Sequence, residues 1–180
     1  MTVTEAQIAT LAQYELRYIE EIRNAADQSG CYLYLLVAML EKETAKPDER
    51  WPRNVFGHDE GGVGRGFDDP VDRSNFRLFR HEVLVLGRTS NGIGPSQVTH
   101  PDLIREAESR GLKLWLPADN ILYGGQRLRS LFREALQKGL TTRPAIIETG
   151  RRYNGQYAYG VALLEVALKW KERLGNADYV

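Results

Sequence analysis

Apolar residues at Ile8, Leu11, Ala12, Ile19, Ile22 and Ala26 follow helical spacing and predict one amphipathic N-terminal helix. Thr2 and Glu5 have the spacing of a capping box, and Ser29-Gly30 supplies a left-handed stop. Residues 31–40 are apolar on every side, a pattern shared by buried helices and buried strands. Good helix formers at 38–43 favour a helix, and Pro47 stops it because the residue before a proline avoids helical geometry. A helix with no polar face must be wrapped by other elements.

Downstream, Gly57, Gly61, Gly62, Gly64 and Gly66 predict a turn-rich patch or small hairpin over 57–69. Asp69-Pro70 opens the next helix, with Phe76, Phe79, Val83 and Leu86 on one side and Gly87 closing it. Residues 90–99 read as a second glycine-containing loop. Pro101 starts a short helix that ends before Gly111, and Pro117 starts a long one bearing Ile121, Leu128, Leu131, Phe132 and Leu136. Pro144 starts another helix, ending near Gly150. The last spans 157–174, with Val161, Leu164 and Leu168 inward and Gly175 as terminator. The expectation is a predominantly helical α+β domain over 1–180, with about seven helices and one loop-rich or β-hairpin patch.

Composition narrows the class. A chain of 180 residues with 42% hydrophobic and 27% charged residues suits one soluble globular domain. The longest apolar run is too short for a bilayer, which needs about 20 residues, and Met1-Thr2-Val3-Thr4-Glu5 does not begin a secretory signal. The formal net charge is zero, which argues against a dedicated nucleic-acid binder. The sum hides an asymmetry: residues 1–90 carry 11 basic and 15 acidic side chains, residues 91–180 carry 13 and 9.

Several chemistries fit poorly. His58, His81 and His100 form no paired metal-binding motif, so no metal or other cofactor is expected. The Gly-x-Gly-x-Gly at 62–66 does not follow a predicted strand and is no phosphate loop. Cys31 heads the most apolar segment, which suits a buried inert thiol, and Ser96 lies in no Gly-x-Ser-x-Gly elbow. Carboxylate chemistry fits better. Glu41 and Glu43 sit at the C-terminal end of the apolar helix, where the helix dipole and partial burial both disfavour ionisation. A carboxyl kept protonated near neutral pH is what a general acid requires. Spacing does not choose between them: Glu43 shares a face with Leu36, Met39 and Leu40, and Glu41 with Tyr34, Val37 and Ala38.

Four segments, in order, carry a resemblance. Residues 36–44 end in Glu43-Thr44, similar to the catalytic Glu-Ser pair after an apolar helix, with threonine for serine. Residues 92–99, Gly92-Ile93-Gly94-Pro95-Ser96-Gln97-Val98-Thr99, resemble a Gly-x-Gln-x-x loop with one extra residue before the glutamine. Asn120-Ile121, followed by Gly124 and Leu128, resembles an Asn-Ile helix signature, and Tyr153-Asn154-Gly155 a Tyr-Asn-Gly motif. Together they resemble the lysozyme-like fold of goose-type lysozymes and soluble lytic transglycosylases. Asn54-Val55-Phe56-Gly57-His58-Asp59 and the loop from Asn91 to Pro95 are similar to the lysozyme-like domain of actinobacterial-phage endolysins.

The resemblance implies a glycosidase that cleaves the β-1,4 bond between N-acetylmuramic acid and N-acetylglucosamine. It implies Glu43 as general acid and Asp59 as leading second carboxylate, with Asp68 and Asp69 behind it. Gln97, Thr99, Tyr153, Asn154 and His58 fall at positions that would meet the sugar or hold the glutamate, whereas Asn120 reads better as a core hydrogen-bonding residue. It further implies a monomer whose partner is the peptidoglycan strand, made in a host cytoplasm and acting on the wall after release. Such domains also occur as modules of longer chains. The rival expectation is a wall-binding module that kept the groove and lost turnover.

Overall fold

The computed structural model describes residues 2–44, 71–90 and 92–175. Among the described residues are eight helices: α1 (Glu5–Gln13), α2 (Ile19–Ser29), α3 (Leu33–Thr44), α4 (Arg73–Leu84), α5 (Pro101–Ser109), α6 (Pro117–Gln137), α7 (Thr142–Asn154) and α8 (Tyr157–Arg173). The predominantly helical class stands. The β-pairing among these residues is one isolated antiparallel bridge, Ile93 with Val98. The hairpin expected over 57–69 and the proline stop at Pro47 lie outside the described residues.

The first predicted helix is two. Glu15 and Tyr18 take left-handed backbone (φ 53° and 61°), which breaks the run and lets Leu16 turn inward. Ala12 is consequently exposed, while Leu11 and Ile22 are fully buried. The cap is also displaced. Thr4, not Thr2, accepts from the Gln7 backbone N–H at 3.3 Å, and the Gln7 side chain accepts from the Thr4 N–H at 3.0 Å. Gly30 (φ 67°) ends α2 as expected.

Helix α3 is the axis of the larger core. Every side chain from Leu33 to Leu40 is buried, in a core that the helix shares with residues of α1, α2, α6, α7 and α8. Each such aliphatic side chain contributes roughly 1.5–3 kcal/mol, so this helix is fixed by its neighbours rather than by its propensity. A second, smaller core gathers Phe76, Phe79 and Val83 of α4, Ile104 and Ala107 of α5, Ile93, Val98, Leu114 and Tyr123. Helix α6 serves both, since Ile121 and Leu128 enter the first core and Tyr123 the second.

Other boundaries shift for local reasons. Helix α4 begins at Arg73 because Asp72 makes a reciprocal cap with Asn75, three residues past the expected Asp69-Pro70 start. It ends at Leu84, which leaves Leu86 51% exposed instead of inward. Leu136 is likewise exposed near the end of α6. Gly150 does not stop α7. It lies against Gly160 of α8, where a Cβ on Gly160 would fall 2.1 Å from the Ile147 carbonyl oxygen. These two glycines let α7 and α8 approach closely. The deeply buried face of α8 is Gly160, Leu163, Ala167 and Trp170, leaving Val161, Leu164 and Leu168 half-buried at its margin.

Candidate active site

The buried α3 delivers Glu43 in its last turn, where the chain leaves the core and the carboxyl is half-buried. Thr44 is buried and donates its hydroxyl back to the Leu40 carbonyl one turn earlier at 2.8 Å, so this buried hydroxyl is satisfied within its own helix. Tyr159, in the first turn of α8, donates its hydroxyl to Glu43 Oε1 at 2.5 Å. The Lys42 ammonium lies 5.9 Å from the Tyr159 ring centroid.

Burial pushes the Glu43 carboxyl up to about 7, against the opposing pull of the Tyr159 hydrogen bond and the Lys42 charge. Glu43 therefore holds its proton through much of the neutral range. Burial first, and then the Glu43 charge and hydrogen bond, raise the Tyr159 hydroxyl well above its ordinary range. Tyr159 is thus a permanent donor at this position. The carboxyl is both proton-bearing and oriented, the two properties of a general acid.

The two glutamates that spacing left equal are distinguished by their surroundings. Glu41 Oε2 accepts the indole Nε1–H of Trp170 at 2.7 Å. Glu43 faces the tyrosine hydroxyls of α7 and α8 instead.

Tyr153, in the last turn of α7, is half-buried and donates its hydroxyl to the Ser96 carbonyl at 2.8 Å. The Arg127 guanidinium stacks over its ring, 5.6 Å from the centroid. Burial, then the charge of Glu43, raises the Tyr153 hydroxyl far above its usual range, so it too remains a donor. Tyr153 thereby links α7 to the loop at 92–98.

That loop is tied at many points. Ile93 and Val98 exchange two backbone hydrogen bonds of 3.0 and 3.1 Å. Gln97 is buried, has left-handed backbone (φ 46°), and donates its side-chain amide to the Gly94 carbonyl at 2.8 Å. A non-glycine residue in that conformation is strained and persists because its surroundings hold it. Asn120, fully buried near the start of α6, does much of the holding. Its Oδ1 accepts from Ser96 N–H at 2.8 Å, its Nδ2 donates to the Ile93 and Leu114 carbonyls, and its own carbonyl accepts from the Ser96 hydroxyl. Gly94 has no Cβ because one would lie 2.3 Å from the Asn120 amide nitrogen.

The structure thus brings Glu43, Tyr153 and the loop carrying Gln97 together, and places Asn120 beneath that loop as a core residue. Thr99 is half-buried one residue beyond the bridge, and Asn154 is exposed at the last position of α7. Neither hydrogen-bonds Glu43. His58, Asp59, Asp68 and Asp69 lie outside the described residues. Sequence reasoning missed Tyr159. Nothing in helical spacing prefers it to Tyr157, which is 64% exposed; only the crossing of α8 over the end of α3 aims it at Glu43.

Two further observations bear on chemistry. Cys31 is fully buried and its thiol is pushed up to about 12, so it is no nucleophile. Among the described residues, no three His, Cys, Asp or Glu side chains gather into a metal-binding group. Comparison with protein-family models, with curated proteins and with solved structures finds no match to this chain.

Proposed function

We propose that the chain is a peptidoglycan glycosidase with Glu43 as its general acid. The observation that carries this reading is the half-buried Glu43 carboxyl, held by Tyr159 and pushed up to about 7 by burial. The four segments resembling lysozyme-like enzymes supply the substrate class.

In the proposed reaction the Glu43 proton passes to the glycosidic oxygen. The bond between that oxygen and the muramic C1 breaks, its electron pair staying on oxygen, through an oxocarbenium-like state. Glu43, now a carboxylate, takes a proton from the attacking hydroxyl. Attack by the muramic 6-hydroxyl closes a 1,6-anhydro ring, whereas attack by water leaves a reducing end. Tyr153 and Gln97 line the sugar-binding side, with Thr99, Asn154 and His58 as further contacts. Asp59 is the second carboxylate that the hydrolytic route would call on.

Mass spectrometry of digested peptidoglycan tests the reading and separates its two outcomes. Anhydro-muropeptides identify a transglycosylase, reducing muropeptides a hydrolase. Glu43→Gln is expected to lose at least about a hundredfold in turnover, the lower range for a general acid, while its circular dichroism is unchanged. Wild-type-like turnover by that variant would sink the assignment. Wall binding by the unaltered protein with no released muropeptide would favour a binding module instead.

A further inference from the structure

Helix α8 meets the last turn of α3 at two points. Tyr159, in its first turn, donates to Glu43, and Trp170, about three turns further along, donates to Glu41 at 2.7 Å. Glu41 and Glu43 are two residues apart, hence about 200° apart around the helix. The two contacts therefore hold the end of α3 from different sides.

A helix end needs such fixing. Its last carbonyls lack intrahelical partners and its last turn is where fraying begins. Glu43 lies in that turn. Trp170 is a rigid anchor: its side chain is fully buried, and Tyr14 meets it edge-on with centroids 5.0 Å apart. Arg173 covers both rings, at 4.6 Å from Tyr14 and 4.8 Å from Trp170. A buried indole N–H and a half-buried carboxylate each lose much if the other is removed, so the pair resists rotation of the turn.

We infer that the Trp170–Glu41 hydrogen bond is a positioning contact for Glu43, setting the rotation of the last turn of α3 so that the Glu43 carboxyl meets the Tyr159 hydroxyl. This rests on Glu43 being the acid, and it gives Trp170 and Glu41 a positioning role because the fully buried indole and the Glu41 carboxylate engage each other. Among the described residues, the charged and titratable groups facing Glu43 are Tyr159 of α8, Tyr153 of α7 and Lys42 of its own helix. The test leaves all three in place.

The variants are Trp170→Phe, which keeps a ring and removes the N–H, Glu41→Leu, which removes the acceptor, and Glu41→Gln, which keeps an acceptor oxygen. Two quantities are measured on each folded protein: the midpoint of Glu43 carboxyl titration by carbon-13 NMR, and the pH profile of kcat on purified peptidoglycan. In Trp170→Phe and Glu41→Leu the last turn of α3 swings Glu43 toward solvent, and loss of burial, the largest cause, outweighs loss of the Tyr159 bond, so the midpoint should move from about 7 toward 4.5. The expected shift is about one pH unit, and the basic limb of kcat should move with it while KM changes little. Glu41→Gln should keep the wild-type midpoint. An unchanged midpoint in folded Trp170→Phe or folded Glu41→Leu overturns the inference, and either variant suffices if the other does not fold. If the midpoint shifts but the wild-type protein releases no muropeptide, the positioning contact stands and the glycosidase reading falls.

Discussion

Protonated Glu43 sits comfortably in its surroundings and ionised Glu43 does not. Its carboxyl is raised from 4.5 to about 7 in the fold, so the unfolded chain gives up this proton first. Folding stability from this group is therefore complete below pH 4.5, declines as pH rises to about 7, and stays low above it. The loss amounts to at most about 3 kcal/mol. Glu43→Gln removes the ionisation, and its melting temperature should match wild type at pH 4 and exceed it at pH 8. Equal melting temperatures at both pH values would show that Glu43 is not raised. Tyr159 makes the opposite adjustment, because its hydrogen bond favours the carboxylate. Tyr159→Phe should therefore raise the Glu43 midpoint further and move the basic limb of kcat/KM to higher pH. A limb that moved to lower pH would contradict the direction given to that bond.

At the scale of elements, the site depends on how closely α7 and α8 approach, since α7 carries Tyr153 and α8 carries Tyr159. A Cβ on Gly160 would meet the Ile147 carbonyl oxygen, a backbone atom that cannot turn aside. Gly160→Ala should force the helices apart at a cost of about 1–3 kcal/mol. In a chain of this size that lowers the melting temperature by roughly 2–4 °C for each kcal/mol. Activity should fall more steeply than stability, because both tyrosines shift relative to Glu43. The loop at 92–98 has an equivalent dependence on one residue. Asn120 makes three side-chain hydrogen bonds to it and to Leu114, all buried. Asn120→Ala would leave the Ser96 N–H and two carbonyls without this partner, at about 1–3 kcal/mol for a buried unsatisfied group. Urea denaturation should register that loss, and an unchanged midpoint would mean the loop is held without Asn120.

At the scale of the whole molecule, two cores share α6, and the smaller one is held by polar contacts as well as apolar packing. Tyr123 of α6 donates to Glu106 of α5 at 2.9 Å, and Arg80 of α4 pairs with Glu108 of α5 through two hydrogen bonds. The larger core encloses Cys31, whose thiol is buried and strongly disfavours ionisation. Thiol-reactive dye should therefore modify Cys31 only as fast as the molecule opens, and immediately in denaturant. Rapid labelling of the native protein would mean that the larger core is not closed around α2 and α3. The zero net charge also gains a geometry. Glu43 belongs to the acidic half, while Gln97, Asn120, Tyr153 and Tyr159 belong to the basic half. The candidate site is assembled where side chains from the two halves meet.

What the amino-acid order determined alone was the helical class, the buried character of α3, the stop at Gly30 and the proline starts at Pro101 and Pro117. These follow from short-range rules: apolar spacing, caps, and the geometry of Gly30 or Pro117. It also left Glu41 and Glu43 as equal candidates for the proposed acid, since both end the apolar helix. Tertiary structure alone gave these glutamates different partners. Trp170 and Tyr159 are more than a hundred residues away along the chain, and only the crossing of α8 over the end of α3 assigns one to each. The division of the N-terminal helix and the role of Gly150 were hidden for a related reason. The first depends on left-handed backbone at Glu15 and Tyr18 and the second on where the α8 backbone lies, and local periodicity records neither.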